Sequence, residues 1–182
     1  MVDVGAGDGR FAVATAAADP DTLAIAVDAH PQAMADAWRR VQRQRLTNVL
    51  LVAARAEDLP PELDGIADAV TVNFPWGSLL TGVLAGDGGA VAAGLARITR
   101  PDGDVTVVLS LTDRERALGL PELDAGLAAT LAARYAANGL TLTEWRPATA
   151  EEIAATRSTW AKRLGAGGAR RPAWLLRLLR SS

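Results

Sequence analysis

The chain has 182 residues, 49% of them apolar, a formal charge of −2, no cysteine and a single histidine, His30. Those figures leave room for one domain with a sizeable core, exclude a disulfide framework or thiolate metal centre, and argue against a histidine-built metal cage. No apolar run reaches the roughly 18–20 residues of a membrane span, and the chain opens without a basic and then apolar leader, so a cytoplasmic protein with one domain over residues 1–182 is expected.

Along the chain, apolar and β-branched runs alternate with helical ones, the pattern of an α/β fold around a largely parallel sheet. Residues 2–4 read as the stub of a first strand, 11–18 as a helix and 22–28 as a second strand. Residues 31–44 open with Pro31 in a favourable first-turn position and carry Ala33, Met34, Ala37, Trp38 and Val41 at helical spacing. A third strand is expected over 48–54 and a fourth over 67–74. A short helix follows the Pro75-Trp76-Gly77 bend, and a longer one covers 88–99. After the turn-forming RPDG comes strand five at 103–111, then a helix over 121–138 that stops at Asn138-Gly139, then strand six at 141–148. Thr149 with Glu152 three residues on reads as a capping box, and residues 173–179 close the chain as strand seven. The glycine-rich, basic stretch 165–172 is a loop.

The first loop, DVGAGDGR at 3–10, sets Gly5, Gly7 and Gly9 where a strand hands over to a helix, so the backbone can turn sharply and approach a ligand without Cβ atoms in the way. The third glycine comes one residue sooner than in the dinucleotide fingerprint, and a glycine turn at a strand end is by itself weak evidence. Asp28, ending strand two, strengthens the ligand reading because a carboxylate there can accept two ribose hydroxyls. Glu57 and Asp58, in AEDLP after strand three, stand where an adenine amino group could be received. The acidic first loop would repel a pyrophosphate and suits a ligand carrying an ammonium and a sulfonium, which favours S-adenosylmethionine over NAD.

The glycine loop, the acids after strands two and three and the final strand together resemble the Rossmann-like class I S-adenosylmethionine-dependent methyltransferases. Within them DVGAGDGR, AEDLP, FPWGSLL and STWAKRL, in this order, are similar to the aminoglycoside-resistance 16S rRNA (adenine 1408-N1) methyltransferases of the KamB/NpmA family. The resemblance implies a seven-stranded, mostly parallel sheet with strand seven antiparallel and helices on both faces. It also implies a monomer that acts on the 30S subunit and uses S-adenosyl-L-methionine, with S-adenosyl-L-homocysteine as product and no metal. Members of the family carry a further segment before the glycine loop, and the sequence given is expected to lack it.

Methylating N1 of an adenine requires the base to leave its helix and be held elsewhere. The family implies that Trp76 and Trp160 sandwich that base, although each alone could equally be a core tryptophan at a helix start; Trp38, Trp145 and Trp174 fall in the apolar pattern and read as structural. By the same resemblance Ser158 bonds near the base, Asp3, Gly5, Gly7, Gly9, Asp28, Ala56, Glu57 and Trp76 bind the cofactor, and Arg163 and Arg170 hold the flipped nucleotide. Glu115 is a further candidate after strand five, and His30 is expected to be a surface residue. The basic run Arg39, Arg40 and Arg43 is expected on RNA backbone, and from Glu152 to the end there are seven cations and no further acid. Two other readings stand beside this one. NFPW is similar to motifs of tRNA guanine-N7 and amino methyltransferases, and a non-catalytic relative that only binds the cofactor would carry the same glycine loop.

Overall fold

Runs such as AIAVD offer no polar face, so both sides of the strand must be covered by helices. That is the arrangement in the computed structural model, which describes residues 1–85, 88–168 and 171–182, and the side chains of all of these but Trp160 and Leu164. The strands are β1 (Val2–Val4), β2 (Ala24–Asp28), β3 (Val49–Ala53), β4 (Ala67–Asn73), β5 (Thr99–Leu109), β6 (Leu140–Pro147) and β7 (Trp174–Arg180). They form one sheet in the order β3-β2-β1-β4-β5-β7-β6, parallel except for β7, which runs antiparallel to both neighbours. The expected fold class is therefore the observed one.

The helices are α1 (Arg10–Ala18), α2 (Ala35–Gln44), α3 (Gly77–Leu84), α4 (Ala90–Ile98), α5 (Asp113–Ala117), α6 (Ala128–Ala136), α7 (Ala150–Ala155) and α8 (Thr159–Leu164). Alternate strand residues face opposite layers. Ile25 and Val27 join the main core with Leu80, Val83, Leu95 and Leu131 of α3, α4 and α6. Ala24 and Ala26 instead meet Ala12 and Ala16 of α1. Farther along that second face, Phe74, Val108 and Leu175 pack on Ala161 of α8. Among the described residues no helix is long and apolar enough to cross a membrane.

Several expectations shift. The segment 31–44 begins as a 3-10 turn, Pro31–Met34, before becoming α2. Its three residues per turn change the phase, so Ala37 and Val41 are buried while Trp38 is 56% exposed. Trp38 is thus a surface residue, contrary to its expected place in the apolar pattern. Trp145 and Trp174 do pack together, with ring centroids 4.7 Å apart. RPDG is not a turn ahead of strand five but a bulge inside it, with Asp102 at φ 61. The expected helix at 121–138 is shorter, a 3-10 turn at Ala125–Leu127 leading into α6.

Candidate active site

Parallel register sets the carboxyl ends of β1, β2, β3 and β4 side by side, with Val4 opposite Val27 and Asp28 opposite Ala53. The loops that follow therefore open on one edge. Because the chain goes from β1 outward to β3 and only then returns to β4, those loops part between β1 and β4 and leave a crevice.

The glycine loop crosses this crevice. Gly5 N and Ala6 N both donate to Val27 O, at 2.8 and 3.0 Å. Gly5 has φ 74, and a Cβ there would come within 2.5 Å of Leu79; Gly9 has φ 64, and a Cβ would meet Ala37 at 2.5 Å. Gly5 thus lets the turn sit against α3, and Gly9 lets α1 close on α2. Gly7 N donates to Asp28 Oδ2 at 2.7 Å, and His30 N donates to the other carboxylate oxygen at 2.8 Å. Asp28 ties the loop after β1 to the loop after β2.

Asp3 lies beneath the loop, buried, its Oδ1 accepting from Thr71 Oγ1 at 2.9 Å and Asn73 Nδ2 at 3.1 Å. Burial outweighs those two bonds and, with the nearby Asp28 charge, pushes its pKa up to about 7. Burial also acts upward on Glu57, but its own backbone and Arg55 donate to the carboxylate and hold it below its ordinary value.

Two cavities share this edge. The first, about 280 Å³, is lined by Asp28, His30, residues 54–57 and residues 75–79. The second, about 430 Å³, lies between the glycine loop, Phe11, Asn73, Phe74 and residues 156–159. Gly5 and Trp76 line both. Trp76 stands in the wall between them, 64% exposed, on a bend that Phe74 enters at φ 51. A left-handed bulky residue before proline is strained by about 1–3 kcal/mol, and it persists here because Phe74 is buried against Val108 and Ala161. The side chain that anchors the bend is thus the one that packs on α8. Acidic residues in both cavities, with an exposed indole between them, suit a cationic, hydroxyl-bearing ligand beside a flat aromatic one.

Asp3, Gly5, Gly7, Asp28, Ala56, Glu57, Trp76 and Ser158 all come to these cavities, whereas Gly9 lines neither. Ser158 caps α8, its Oγ accepting from Ala161 N at 3.1 Å, which leaves the hydroxyl proton to donate elsewhere. Trp160 follows on that helix, but its side chain and the whole of Arg170 lie outside the described residues. Arg163 and Arg43 are exposed, and Arg39 is exposed and pairs with Asp36. Arg40 is different, half-buried with Nη1 donating to Asp8 O at 2.9 Å, so it braces the glycine loop. Asp58 lies off the first cavity, lining a shallower recess beside it. Glu115 serves α5 instead, its Oε2 accepting from Thr112 N at 2.6 Å in a capping box. His30 is more than a surface residue, since its ring lies over Trp76 at 6.1 Å and lines the first cavity. Sequence reasoning does not single out Phe11 and Asn73, of which only Asn73, at a strand's carboxyl end, carries a positional signal, and it counts Arg157 only among the cations that follow Glu152.

Residues 1–178 match the family model described as NpmA, 16S rRNA (adenine(1408)-N(1))-methyltransferase. A protein of that description from Streptoalloteichus hindustanus is 38% identical over 177 residues, covering 90% of this chain and 79% of the relative. One from Escherichia coli is 29% identical over 177 residues, 91% of this chain and 80% of the other. Among solved structures, a tryptophan-to-alanine variant of the 16S rRNA (adenine(1408)-N(1))-methyltransferase from Catenulisporales acidiphilia, with cosubstrate SAM, superposes with TM-score 0.88 at 31% identity, covering all of this chain and 85% of that one. The 16S rRNA methyltransferase KamB gives TM-score 0.85 at 32% identity, covering all of this chain and 87% of its own.

Proposed function

The chain belongs to the 16S rRNA (adenine(1408)-N(1))-methyltransferase family, and on that premise we propose that it methylates N1 of adenine 1408 in the assembled 30S subunit. In this reading it works as a cytoplasmic monomer, takes the methyl group from S-adenosyl-L-methionine, releases S-adenosyl-L-homocysteine and confers resistance to aminoglycosides such as kanamycin and apramycin.

The fit to the donor rests on the first cavity. Asp28 ends β2 with its carboxylate in that cavity, where ribose hydroxyls would be accepted. Ala56 and Glu57 would meet the adenine edge, and past Gly5, which lines both cavities, Asp3 and Gly7 would frame the amino-acid end from the second, with Gly9 acting only by letting α1 close on α2. When bound, the donor supplies an electrophilic methyl on a positively charged sulfur.

Trp76 carries the rest of the reading, as an exposed indole in the wall common to both cavities. A flipped adenine lying on it regains about 1–3 kcal/mol of stacking, comparable with the few kcal/mol lost on leaving the helix. Trp160 is proposed as the facing indole, Ser158 as the hydroxyl that bonds near the base, and Arg39, Arg43, Arg163 and Arg170 as the backbone contacts. N1 of neutral adenine keeps its lone pair, so no side chain has to remove a proton before attack. The chain's residues then act by holding the base in line with the methyl carbon.

Primer extension on 30S subunits incubated with the protein and S-adenosylmethionine tests this. A cofactor-dependent stop at adenine 1408 is expected. A stop at another nucleotide, or none, overturns the assignment.

A further inference from the structure

Behind the second cavity the surface opens into a groove of about 1060 Å³ along the outer face of α1, between α2 on one side and the α7–α8 segment on the other. Its cations come from four separate places: Arg10 at the start of α1, Arg40 on α2, Arg157 between α7 and α8, and Lys162 on α8. Among the described residues one acid, Asp19, faces them, and Asp8 pairs with Arg10 at 2.6 Å. Among the described residues Arg40, Arg157 and Lys162 enter no ion pair. Ala14, Ala17 and Ala18 form part of the floor, so no long side chain fills the space.

Arg10, Phe11 and Arg157 line both this groove and the second cavity, so the two lie side by side. The groove therefore offers cations to the strand that flanks a nucleotide placed in the cavity. Arg157 holds a left-handed backbone at φ 54, a conformation that costs a non-glycine residue about 1–2 kcal/mol, at the junction of the two spaces.

The geometry points to a phosphodiester track, in which Arg157 and Lys162, with Arg10 and the guanidinium donors of Arg40 that its bond to Asp8 O leaves over, take the phosphates of the rRNA strand flanking the target adenine. The inference rests on the rRNA reading above and adds Arg10, Arg157 and Lys162 to it.

The test is equilibrium binding of the full chain to 30S subunits across a series of salt concentrations. Wild type is compared with Arg157→Asn/Lys162→Gln, asparagine being the substitution that best tolerates a left-handed backbone. Losing two phosphate contacts should make the slope of log K against log salt shallower by about 1.5. Cofactor affinity by calorimetry and the circular dichroism spectrum should not change. Lys162→Gln alone, at an exposed helix position, should give about half of that slope change and stands in if the double variant folds poorly. An unchanged slope in a variant, with wild type still binding and methylating 30S, overturns the track alone; a wild type that does not bind 30S overturns the track and the function together.

Discussion

Asp3 and Asp28 are carboxylates on adjacent strands, and their surroundings give them different tasks. Asp28 accepts backbone N–H groups at the mouth of the crevice. Asp3 is buried with only a hydroxyl and an amide as donors, and its pKa rises to about 7 from 3.8, first because of burial. Between those values the folded chain holds a proton that the unfolded chain has lost, so this residue stabilises the fold in acid and withdraws that support as pH climbs through about 7. The difference corresponds to about 4 kcal/mol. Asp3→Asn should accordingly be more stable than wild type at pH 8 and nearly equal to it at pH 4, which urea unfolding at the two values would read. The same substitution should weaken S-adenosylmethionine binding, because a ligand carrying an ammonium and a sulfonium favours the ionised carboxyl. Wild type should release up to about one proton on binding near pH 6.5, measurable by calorimetry in buffers of different ionisation enthalpy, and Asp3→Asn should release fewer. A wild type that binds without proton release would show that Asp3 is not beside the cationic end of the ligand.

Capping boxes show what an element can and cannot announce. Thr149 and Glu152 were legible because the pattern is local: the threonine hydroxyl and the glutamate each satisfy an amide of the same first turn. Thr112 and Glu115 spell the same pattern, yet the family resemblance offers Glu115 as a site candidate, and the short helix it caps is not expected from the sequence. Trp38 failed for another local reason, the 3-10 start that rotates α2 out of the phase expected from Pro31 onward. Glu152 also takes two bonds from Arg146, and these, ahead of the Thr149 backbone, lower its pKa to about 2. A depressed carboxyl contributes above its unfolded value near 4.5 and loses that contribution as pH falls through about 2. Both partners are partly exposed, so solvent screening and the cap together limit the contribution to about 1 kcal/mol. Glu152→Gln should therefore cost about that much at pH 7, and its gap from wild type in denaturant unfolding should close between pH 4.5 and 2. A gap that persists in acid would place the loss in packing instead of charge.

At the scale of the molecule, the site could be located from sequence wherever a residue follows a strand's carboxyl end, since a parallel sheet delivers all such residues to one edge. Asp28, Glu57 and Trp76 meet that condition. Phe11, Arg157 and Lys162 do not, because what joins them is the placement of α1 across a groove from α7 and α8, a juxtaposition across about 150 residues of chain that no local pattern records. The division of the edge into two cavities was equally invisible, and it allows the roles of Asp28 and Trp76 to be separated. A ligand that binds only the folded chain stabilises it by about 2.7 kcal/mol at a hundred times its Kd, which for a chain of this size raises Tm by roughly 5–10 °C. Wild type with S-adenosylmethionine should show such a shift in a thermal melt. Asp28→Ala should lose most of it at the same concentration, through both the missing ribose acceptor and the freed Gly7 amide. Trp76→Ala should keep the shift while 30S methylation collapses, since its exposed ring adds little to the fold and its proposed partner is the base. If Trp76→Ala forfeits the shift as Asp28→Ala does, the indole is a wall of the cofactor cavity first, and the adenine must be gripped by other side chains of the second cavity.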